Sequence, residues 1–276
     1  MARLYQLALL RRLAMPALKA CAIDISIGHP WVPGRRYRLN TFRHKGYWYH
    51  GKSRESRTMK LFAALVQPGH TVAEVGGHIG FISIYFSMLV GPTGRVSVFE
   101  PGSNNLPYTR ANVHELDNVS LVEAAVSDVD GYATLYEESL TGQNNSLAKD
   151  FAGLRANAAS AYVPLDVRHV EIPTIRLDSC FVSRGVDFIK IDIEGHELKA
   201  LQGARGLLTR SLPTIMVEVQ ADQDGVYELL TGLGYRLFTD RMAELRQPSQ
   251  LRSNVFALHP HRHSEAALQL LSTASR

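Results

Sequence analysis

Short apolar runs alternate with longer amphipathic stretches along most of this chain. A dense apolar run of four to eight residues predicts a buried strand, and apolar residues spaced three and four apart predict a helix with one buried face. Strands are predicted at 71–75, 95–99, 119–126, 131–137, 170–177, 187–193, 213–219, 235–239 and 254–259, and helices at 56–66, 104–116, 196–208 and 222–233, with one more of about three turns directly after residue 80. This alternation predicts an α/β fold with a Rossmann-like, doubly wound sheet.

The chain is organised around a glycine-rich turn between the first core strand and the helix that follows it. The turn reads Gly-Gly-His-Ile-Gly over residues 76–80. Its glycines can adopt positive φ and let the backbone approach a ligand closely. The next strand ends on Glu100 and Pro101. An acidic residue about 20 residues after such a turn is where a Rossmann-like unit binds a pair of ribose hydroxyls.

A glutamate just before this turn separates two classes of cofactor. A dinucleotide site has the pattern G-x-G-x-x-G, with backbone amides at a helix N-terminus facing a pyrophosphate. Here the pattern is E-x-G-G-x-x-G, and the carboxylate of Glu74 would repel a pyrophosphate but suits a ligand that carries an ammonium group. S-adenosylmethionine has an amino-acid end and a ribose, so Glu74 and Glu100 together favour it over NAD.

The chain resembles the FkbM-type S-adenosylmethionine-dependent methyltransferases in four segments. These are VAEVGGHIGFIS at 72–83, Phe99-Glu100-Pro101 with Asn112, AAVSD at 124–128, and KIDIEGHEL at 190–198 with Gly203. The resemblance covers the chain from Gly46 to His259 and implies the class I methyltransferase fold with S-adenosylmethionine as cofactor. The cofactor-binding residues are then Glu74, Gly76, Gly77, His78, Gly80, Glu100, Pro101, Ser127 and Asp128.

This chain departs from the family pattern in the turn itself. The family usually has Asp-x-Gly-Ala-Asn there, whereas this chain has Glu74, Gly77 and His78 at the corresponding positions. Glutamate preserves the negative charge of the aspartate with a longer reach.

Ser127 and Asp128 follow the predicted strand at 119–126. In a fold of this shape, an acidic or hydroxyl side chain at that strand end can reach the adenine amino group. Asp128 can equally open the turn Asp128-Val129-Asp130-Gly131, for which aspartate is an ordinary residue. The family resemblance favours the adenine contact.

An acidic segment, DIEGHE at 192–197, ends the predicted strand at 187–193. Ligands of open α/β sheets lie beyond the carboxyl ends of the strands, so this segment is expected to face the glycine turn. Methyl transfer depends mainly on positioning, and a hydroxyl acceptor also benefits from a base. Asp192, Glu194 and His196 are the candidates for that base by location. Glu194 can instead be a favourable charge at a helix start, and His196 a surface residue.

A metal site is a further alternative at the same strand ends. Glu218 lies near the end of the predicted strand at 213–219 and could hold a divalent cation together with Asp192. Two carboxylates on adjacent strands are weak support, and no metal is assigned.

Composition restricts the class of protein. With 276 residues, of which 45% are hydrophobic, the chain can bury the core of one large globular domain. Cys21 and Cys180 lie far apart without metal-ligand spacing, which fits a cytoplasmic, reducing location. No apolar run approaches the roughly 18 to 20 residues of a membrane span.

Charge is distributed unevenly along the chain. The net charge is +4 and the pI about 9.1. Basic residues are concentrated between Arg35 and Lys60, where Glu55 is the single acidic residue and aromatic residues are interleaved. Such a patch can bind nucleic acid through phosphates and base stacking, or an anionic sugar or lipid-linked glycan. It can also be a solvated pair of strands with aromatic residues packed beneath.

The predicted organisation has three parts. Residues 1–55 are a basic N-terminal extension, with a short amphipathic helix in the first 20 residues and a small hairpin of strands at 37–42 and 47–50. That helix can contact a membrane surface, the domain or a second subunit. Residues 56–260 are the methyltransferase domain, and residues 261–276 are a tail that is expected to fray.

An insertion is predicted within the domain at 130–170. Its polar, weakly periodic part is expected to form a lid or substrate loop. Asn144, Asn145 and Ser146 can hydrogen-bond a hydroxylated substrate there, or be ordinary loop residues.

The expected reaction is methyl transfer from S-adenosylmethionine to a hydroxyl oxygen. The resemblance implies a small-molecule, sugar or glycolipid acceptor. One rival function is methylation of nucleic acid through the 35–60 patch, but the chain has no Asn-Pro-Pro-Tyr type motif and no recognisable RNA-binding module. A second rival is a non-catalytic methyltransferase-fold binding protein, which the altered turn at Glu74 and His78 leaves open. The oligomeric state is not predicted.

Overall fold

The computed structural model of this chain describes residues 8–149, 164–264, 266–268 and 271. Its strands are β1 (Asp24–Gly28), β2 (Arg36–Asn40), β3 (Thr71–Val75), β4 (Arg95–Phe99), β5 (Val119–Val122), β6 (Ala125–Val126), β7 (Gly131–Glu138), β8 (Val167–Ile175), β9 (Phe188–Ile191), β10 (Thr214–Val219), β11 (Arg236–Thr239), β12 (Glu244–Leu245) and β13 (Ser253–Leu258). Its helices are α1 (Ala8–Ala20), α2 (Lys45–His50), α3 (Ser56–Leu65), α4 (Phe81–Val90), α5 (Leu106–Val113), α6 (Leu177–Cys180), α7 (Glu197–Gln202), α8 (Arg205–Ser211) and α9 (Gln223–Gly232).

The central sheet has eight strands in the order β12-β11-β13-β10-β9-β3-β4-β5. From β5 to β10 all neighbours are parallel, whereas β13 runs antiparallel between β10 and β11. The chain first builds outward from β3 to β5 and later returns to the other side of β3 with β9. This reversal places a topological switch point between β3 and β9, where the carboxyl ends of the strands open a crevice. The predicted doubly wound α/β fold is confirmed.

Each central strand contributes alternate residues to two apolar cores, one on each face of the sheet. Val72 of β3 and Phe188 of β9 are paired in the sheet and pack against α3, α4 and α5. The next pair, Ala73 and Ile189, packs on the opposite face against α7, α8 and α9. Parallel strands covered on both faces need near-continuous apolar sequence, which is the pattern that predicted them.

The predicted N-terminal hairpin is wrong in its second strand. β2 pairs antiparallel with β1, which precedes it, so that Leu39 faces Ile25. The predicted strand at 47–50 belongs to α2. Aromatic residues favour strands in general, but here tertiary contacts decide. Tyr47 is 6% exposed, and the indole of Trp48 donates a hydrogen bond to the carbonyl of Thr41 at 2.9 Å.

The N-terminal helix α1 packs on the domain through the side chains that the structure describes. Met15 and Leu18 contact Phe42 and Leu140 in a small apolar cluster. No helix among the described residues is both long and apolar enough to cross a bilayer.

The predicted strand at 119–126 is interrupted. β5 ends at Val122, and β6 belongs to a second sheet of three strands in the order β6-β8-β7. Glu123 lies between the two strands, and its carboxylate accepts a hydrogen bond from Arg110 Nε at 2.6 Å. After Glu123 the chain leaves the central sheet, and Ala125 and Val126 of β6 line the crevice.

Two further expectations are corrected by the structure. The helix predicted at 196–208 is two helices, α7 and α8, with Gly203 between them. The tail does not fray at residue 261, because Leu268 and Leu271 are buried in the first core and the imidazole of His263 lies 2.6 Å from Thr214 Oγ1. Residues 150–163 of the predicted insertion and residues 1–7 and 272–276 lie outside the described residues.

We expect Gly203→Ala to destabilise the protein. Gly203 has an ordinary φ of −70°, but a Cβ there would overlap the carbonyl oxygen of Ser127, a backbone atom that cannot rotate away. Overpacking of this kind costs about 1–3 kcal/mol. Chemical denaturation of the two proteins measures the change in the free energy of unfolding.

Gly232→Ala is the matched control. Gly232 also lies at the end of a helix, but nothing lies within 4 Å of the position of an added Cβ. Its unfolding free energy should be unchanged or slightly higher, because alanine favours helix. An equal loss in both variants would show that the contact between Gly203 and Ser127 does not constrain the fold.

Candidate functional site

A cleft of about 280 Å³ opens at the carboxyl ends of β3, β4, β9 and β10. It brings together most of the residues that the sequence predicts for the site. Those that line it are Glu74, Gly76, Gly77, His78, Glu100, Pro101, Asp192, Glu194 and His196. Three predicted cofactor residues, Gly80, Ser127 and Asp128, do not line it.

The glycine turn allows β3 and β9 to approach each other closely at the floor of the cleft. Gly76 has a φ of +86°, and a Cβ at this position would overlap the carbonyl oxygen of Asp192. Any other residue would force the two strand ends apart. Gly80, with a φ of +79°, begins α4 and closes the turn by donating a hydrogen bond to Gly77 at 2.8 Å.

Glu74 is fully buried beneath the turn. Its Oε2 accepts a hydrogen bond from Ser83 Oγ at 2.6 Å, whereas its Oε1 has no hydrogen-bond partner among the described residues. Burial raises the pKa of this carboxyl to about 7, although the ammonium of Lys190 and the Ser83 hydroxyl lower it. An unpaired carboxylate oxygen in the cleft wall is the feature that an ammonium ligand would satisfy.

Glu100 is held at the end of β4 by hydrogen bonds to both of its oxygens. Oε2 accepts the backbone N–H of His78 at 2.7 Å, and Oε1 accepts the N–H of Gly102 at 2.9 Å and the amide of Asn105 at 3.1 Å. Burial raises its pKa to about 7 in spite of these bonds. The carboxylate is therefore fixed in direction at the position where a ribose is expected.

His78 ties three segments together. Its φ is +48°, which is unusual for a residue with a side chain. Nε2 lies 3.2 Å from the carbonyl of Thr141, which can only accept, so Nε2 carries the proton and Nδ1 accepts from the hydroxyl of Tyr47 at 2.9 Å. Burial lowers the pKa of His78 to about 3, so the ring stays neutral. Its side chain thus links the glycine turn to α2 and to the insertion.

A buried lysine compensates the acidic strand ends. The ammonium of Lys190 on β9 donates to the Gly76 carbonyl at 3.0 Å and lies 3.2 Å from Asp192 Oδ2. Burial opposes its charge, but the carboxylates of Asp192 and Glu74 raise its pKa above the ordinary value. Burial likewise opposes ionisation of Asp192, yet Lys190 and a hydrogen bond with Glu218 lower the pKa of Asp192. Asp192 is therefore ionised at neutral pH.

Glu218 and Glu194 flank Asp192 with protonated carboxyls. Burial and the charge of Asp192 raise the pKa of Glu218 well above its ordinary range. Burial, Asp192 and Glu197 raise the pKa of Glu194 to about 8. Among the described residues, no three His, Cys, Asp or Glu side chains form a metal-binding group.

The predicted adenine contacts lie behind the cleft wall. The wall at this end is formed by Ala124, Ala125 and Val126, and Ser127 follows them with 4% exposure. Ser127 Oγ donates to Asp128 Oδ1 at 3.0 Å and lies 2.9 Å from His196 Nε2. His196, rather than Ser127 or Asp128, reaches the cleft at this point.

Three residues of the N-terminal segment also line the cleft, and the sequence did not predict them there. Arg54 lies 4.7 Å from the centre of the Tyr47 ring, and its Nη2 pairs with Glu55 Oε1 at 3.2 Å. They belong to the basic, aromatic patch at 35–60. Tyr47, Arg54 and Glu55 reach the cleft because α2 packs against the glycine turn, and the local sequence does not indicate this packing.

The described part of the insertion covers the cleft. The carboxylate of Glu138 accepts the backbone N–H groups of Leu140 and Gly142, each at 2.6 Å, and thereby closes a tight loop. Asn105 bonds the carbonyl of Gly142 at 2.9 Å, and Ser146 Oγ bonds the carbonyl of Glu194 at 2.6 Å. Of the three polar candidates in this loop, Ser146 is thus used to hold the loop in place.

Asn145 has internal partners as well. Its oxygen accepts the N–H of Glu138 at 2.9 Å, and its amide donates to Asn104 at 2.7 Å. Gln143 and Asn145 nevertheless line the cleft, so the loop forms part of its polar wall. Residues 150–163 of the predicted lid or substrate loop lie outside the described residues.

Comparison with known proteins shows which protein family this chain belongs to. The family model for the methyltransferase FkbM domain matches residues 74–237. Among curated proteins, none matches the chain.

Similar folds occur among solved structures. A methyltransferase FkbM from Methylobacillus flagellatus KT is 16% identical with a TM-score of 0.43, over 68% of this chain and 43% of that one. A precorrin-6y C5,15-methyltransferase from Geobacter metallireducens GS-15 is 17% identical with a TM-score of 0.40, over 74% and 86%. Fibrillarin from Aeropyrum pernix, crystallised with natively bound S-adenosyl-L-methionine, is 13% identical with a TM-score of 0.44, over 85% and 89%.

We expect the free energy of unfolding to fall as pH rises from about 7.5 to about 8.5. Glu194 has a pKa of about 8 in the folded protein against an ordinary value of 4.5. Up to about pH 8 the folded protein still holds a proton that the unfolded chain has already lost, so the slope of stability against pH is negative and levels off once that proton is released. Chemical denaturation at the two pH values measures this slope.

Glu194→Gln should make the slope shallower, because the variant has no proton to lose at this position. Glu228→Gln is the control, since Glu228 is an exposed residue of α9, far from the acidic strand ends in sequence. An unchanged slope in Glu194→Gln would contradict the assignment of a protonated Glu194.

Proposed function

Since this chain belongs to the FkbM methyltransferase family, whose methyl donor is S-adenosylmethionine, we propose that it methylates a hydroxyl oxygen of a small molecule, sugar or glycolipid. One observation carries the proposal. Glu74, Glu100 and the ion pair of Lys190 with Asp192 converge in a single cleft at the switch point of the sheet. Ligands of doubly wound sheets bind at this point.

The residues present fit the donor. Glu74 offers the ammonium of the amino-acid end a buried oxygen that has no partner in the described part of the chain. Glu100 is oriented by three hydrogen bonds toward the ribose hydroxyls, and the apolar wall at Ala124–Val126 accommodates a planar base. When bound, S-adenosylmethionine supplies a methyl carbon on a positively charged sulfur. The acidic lining of the cleft favours such a cation over a neutral ligand.

Asp192 is the candidate base for the acceptor hydroxyl. It lines the cleft and stays ionised beside Lys190, whereas Glu194 and Glu218 hold protons at neutral pH. A hydroxyl placed against Asp192 can transfer its proton as the new carbon–oxygen bond forms. An amine in the same position would be held as ammonium by the Asp192 carboxylate, and ammonium is not nucleophilic. The electrostatics therefore favour oxygen over nitrogen as the acceptor atom.

The wall formed by the N-terminal segment and the insertion suits a polyhydroxylated acceptor. Tyr47 and Arg54 present a stacked aromatic ring and guanidinium, and Gln143 and Asn145 add amide groups on the other side. The basic patch is a less favourable surface for nucleic acid than its sequence suggests. Arg54 is directed into the cleft, and Arg38 is paired with Asp24 at 3.0 Å. We propose a cytoplasmic location, which the two free cysteines support.

Binding of S-adenosylmethionine should weaken as pH falls from about 8 to about 6. Glu74 and Glu100 each have a pKa of about 7, so both carboxylates are protonated over this range and lose their attraction for the ligand. Glu100→Gln should weaken binding by about tenfold or more at the upper pH, which is about 1.4 kcal/mol. Calorimetric titration of each protein measures the affinity.

Glu115→Gln is the control for this titration, because its side chain is 76% exposed on the surface. NAD should not bind to either protein. Absence of S-adenosylmethionine binding by the folded wild-type protein would contradict the enzymatic function and favour the non-catalytic alternative.

Asp192→Asn should lower the rate of turnover far more than it weakens donor binding. Loss of a general base costs about 100-fold to 10,000-fold in rate. Transfer of a labelled methyl group from S-adenosylmethionine to a panel of sugars, glycolipids, small alcohols and RNA measures the rate and the acceptor class together.

Asp117→Asn, at an exposed surface position, is the matched control and should keep the wild-type rate. The methyl ether formed on a hydroxyl is stable to alkali, unlike a methyl ester, so product chemistry identifies the acceptor atom. Labelling of RNA alone, with steep salt dependence, would overturn the proposed acceptor class.

A further inference from the structure

His196 lies in the cleft wall at the apolar end, next to residues that suit a planar base. Ala124, Ala125 and Val126 form the wall, and Ser127, the next residue, lies 2.9 Å from His196 Nε2. His196 comes from the loop between β9 and α7, so it approaches this end from the opposite half of the sheet.

Asp128, Ser127 and His196 form a series of hydrogen bonds, and the direction of each bond follows from the number of protons available. Ser127 Oγ has one proton and two contacts, at 3.0 Å to Asp128 Oδ1 and at 2.9 Å to His196 Nε2. A carboxylate can only accept, and Lys199 Nζ at 3.3 Å keeps Asp128 charged. Ser127 therefore donates to Asp128 and accepts from His196. This arrangement places the proton of the imidazole on Nε2.

The other ring nitrogen is left as an acceptor. Burial, with a further contribution from the charge of Lys199, lowers the pKa of His196 to about 4, so the ring is neutral at physiological pH. A neutral imidazole with its proton on Nε2 has a lone pair on Nδ1. Within the described part of the chain, the Nδ1 of His196 has no hydrogen-bond partner, and the ring lines the cleft.

We propose that His196 recognises the nucleobase of the methyl donor, with Nδ1 accepting a hydrogen bond from the exocyclic amino group of adenine. Asp128 and Ser127 are then positioning residues that fix the tautomer of His196, and they do not contact the base themselves. The inference rests on the proposed function. It also gives His196 a role in binding in place of the role as a base that its position in the sequence suggested.

This assignment predicts discrimination between two purines. The 6-amino group of adenine donates to Nδ1, whereas the 6-oxo group of hypoxanthine would place an acceptor against an acceptor. Sites built to hydrogen-bond one group reject analogues that lack it. The wild-type protein should bind S-adenosylhomocysteine about tenfold or more tightly than its 6-oxo analogue, S-inosylhomocysteine.

The test is calorimetric titration of both ligands into four variants and the wild-type protein. The ratio of the two affinities should fall close to one in His196→Ala and should be partly kept in His196→Gln, whose amide oxygen can accept. Ser127→Ala retains the imidazole but removes the hydrogen bond that fixes its tautomer, so the ratio of affinities should also fall in this variant. His114→Ala, at an exposed surface position, should keep the wild-type ratio. Because each comparison is a ratio, general losses of affinity cancel.

Nitrogen-15 resonances of the histidine rings give a second readout without ligand. They should show His196 with its proton on Nε2 in the wild-type protein and a mixture of tautomers in Ser127→Ala. A proton on Nδ1, or a ratio that is unchanged in His196→Ala, would overturn the inference while leaving methyl transfer intact. Failure of the wild-type protein to bind either ligand would instead contradict the proposed function.

Discussion

The ammonium group of Lys190 is the buried charge on which the arrangement of the cleft depends. The residue is 4% exposed in the middle of the sheet, and its charge contacts the Gly76 carbonyl and the Asp192 carboxylate. Buried carboxylates without a cation nearby are strongly unfavourable. Lys190 allows Glu74 and Asp192 to lie near the ends of two neighbouring strands, whereas Glu218 on the next strand stays protonated. The same ammonium group connects the glycine turn to β9 through the Gly76 carbonyl, so one side chain both compensates the Asp192 charge and helps to hold the turn in place.

Much of the fold could be predicted because its signals are local. The bounds predicted for β3 and β4 agree with the structure to the residue, since both strands are short apolar runs bounded by turn residues. The errors occur where a distant contact decides. The strand expected at 47–50 is a helix in which Tyr47 is bound to His78, and the strand expected at 119–126 is interrupted at Glu123, which pairs with Arg110. Neither partner is a neighbour in the sequence.

The candidate site was predicted in part for the same reason. The carboxylates at strand ends were found because the ends of parallel strands meet at one edge of the sheet. Arg54 and Tyr47 were assigned to a surface patch, because only the packing of α2 brings them to the cleft. Lys190 did carry a signal, since a single lysine inside the apolar run Phe188–Ile191 requires buried partners. The roles of Ser127 and Asp128 depend on His196, which lies 69 residues after Ser127. Sequence spacing could not predict that contact.

The two sides of the cleft come from different stretches of the chain. Glu74, Glu100 and Asp192 lie within the part that matches the family model, whereas Tyr47 and Arg54 precede it. The two sides are not independent, because the Tyr47 hydroxyl donates a hydrogen bond to His78 in the glycine turn. On the proposed function, new acceptor preferences would arise from changes in two stretches, the segment ahead of β3 and the loop that carries Gln143 and Asn145, while the carboxylates at the strand ends are retained.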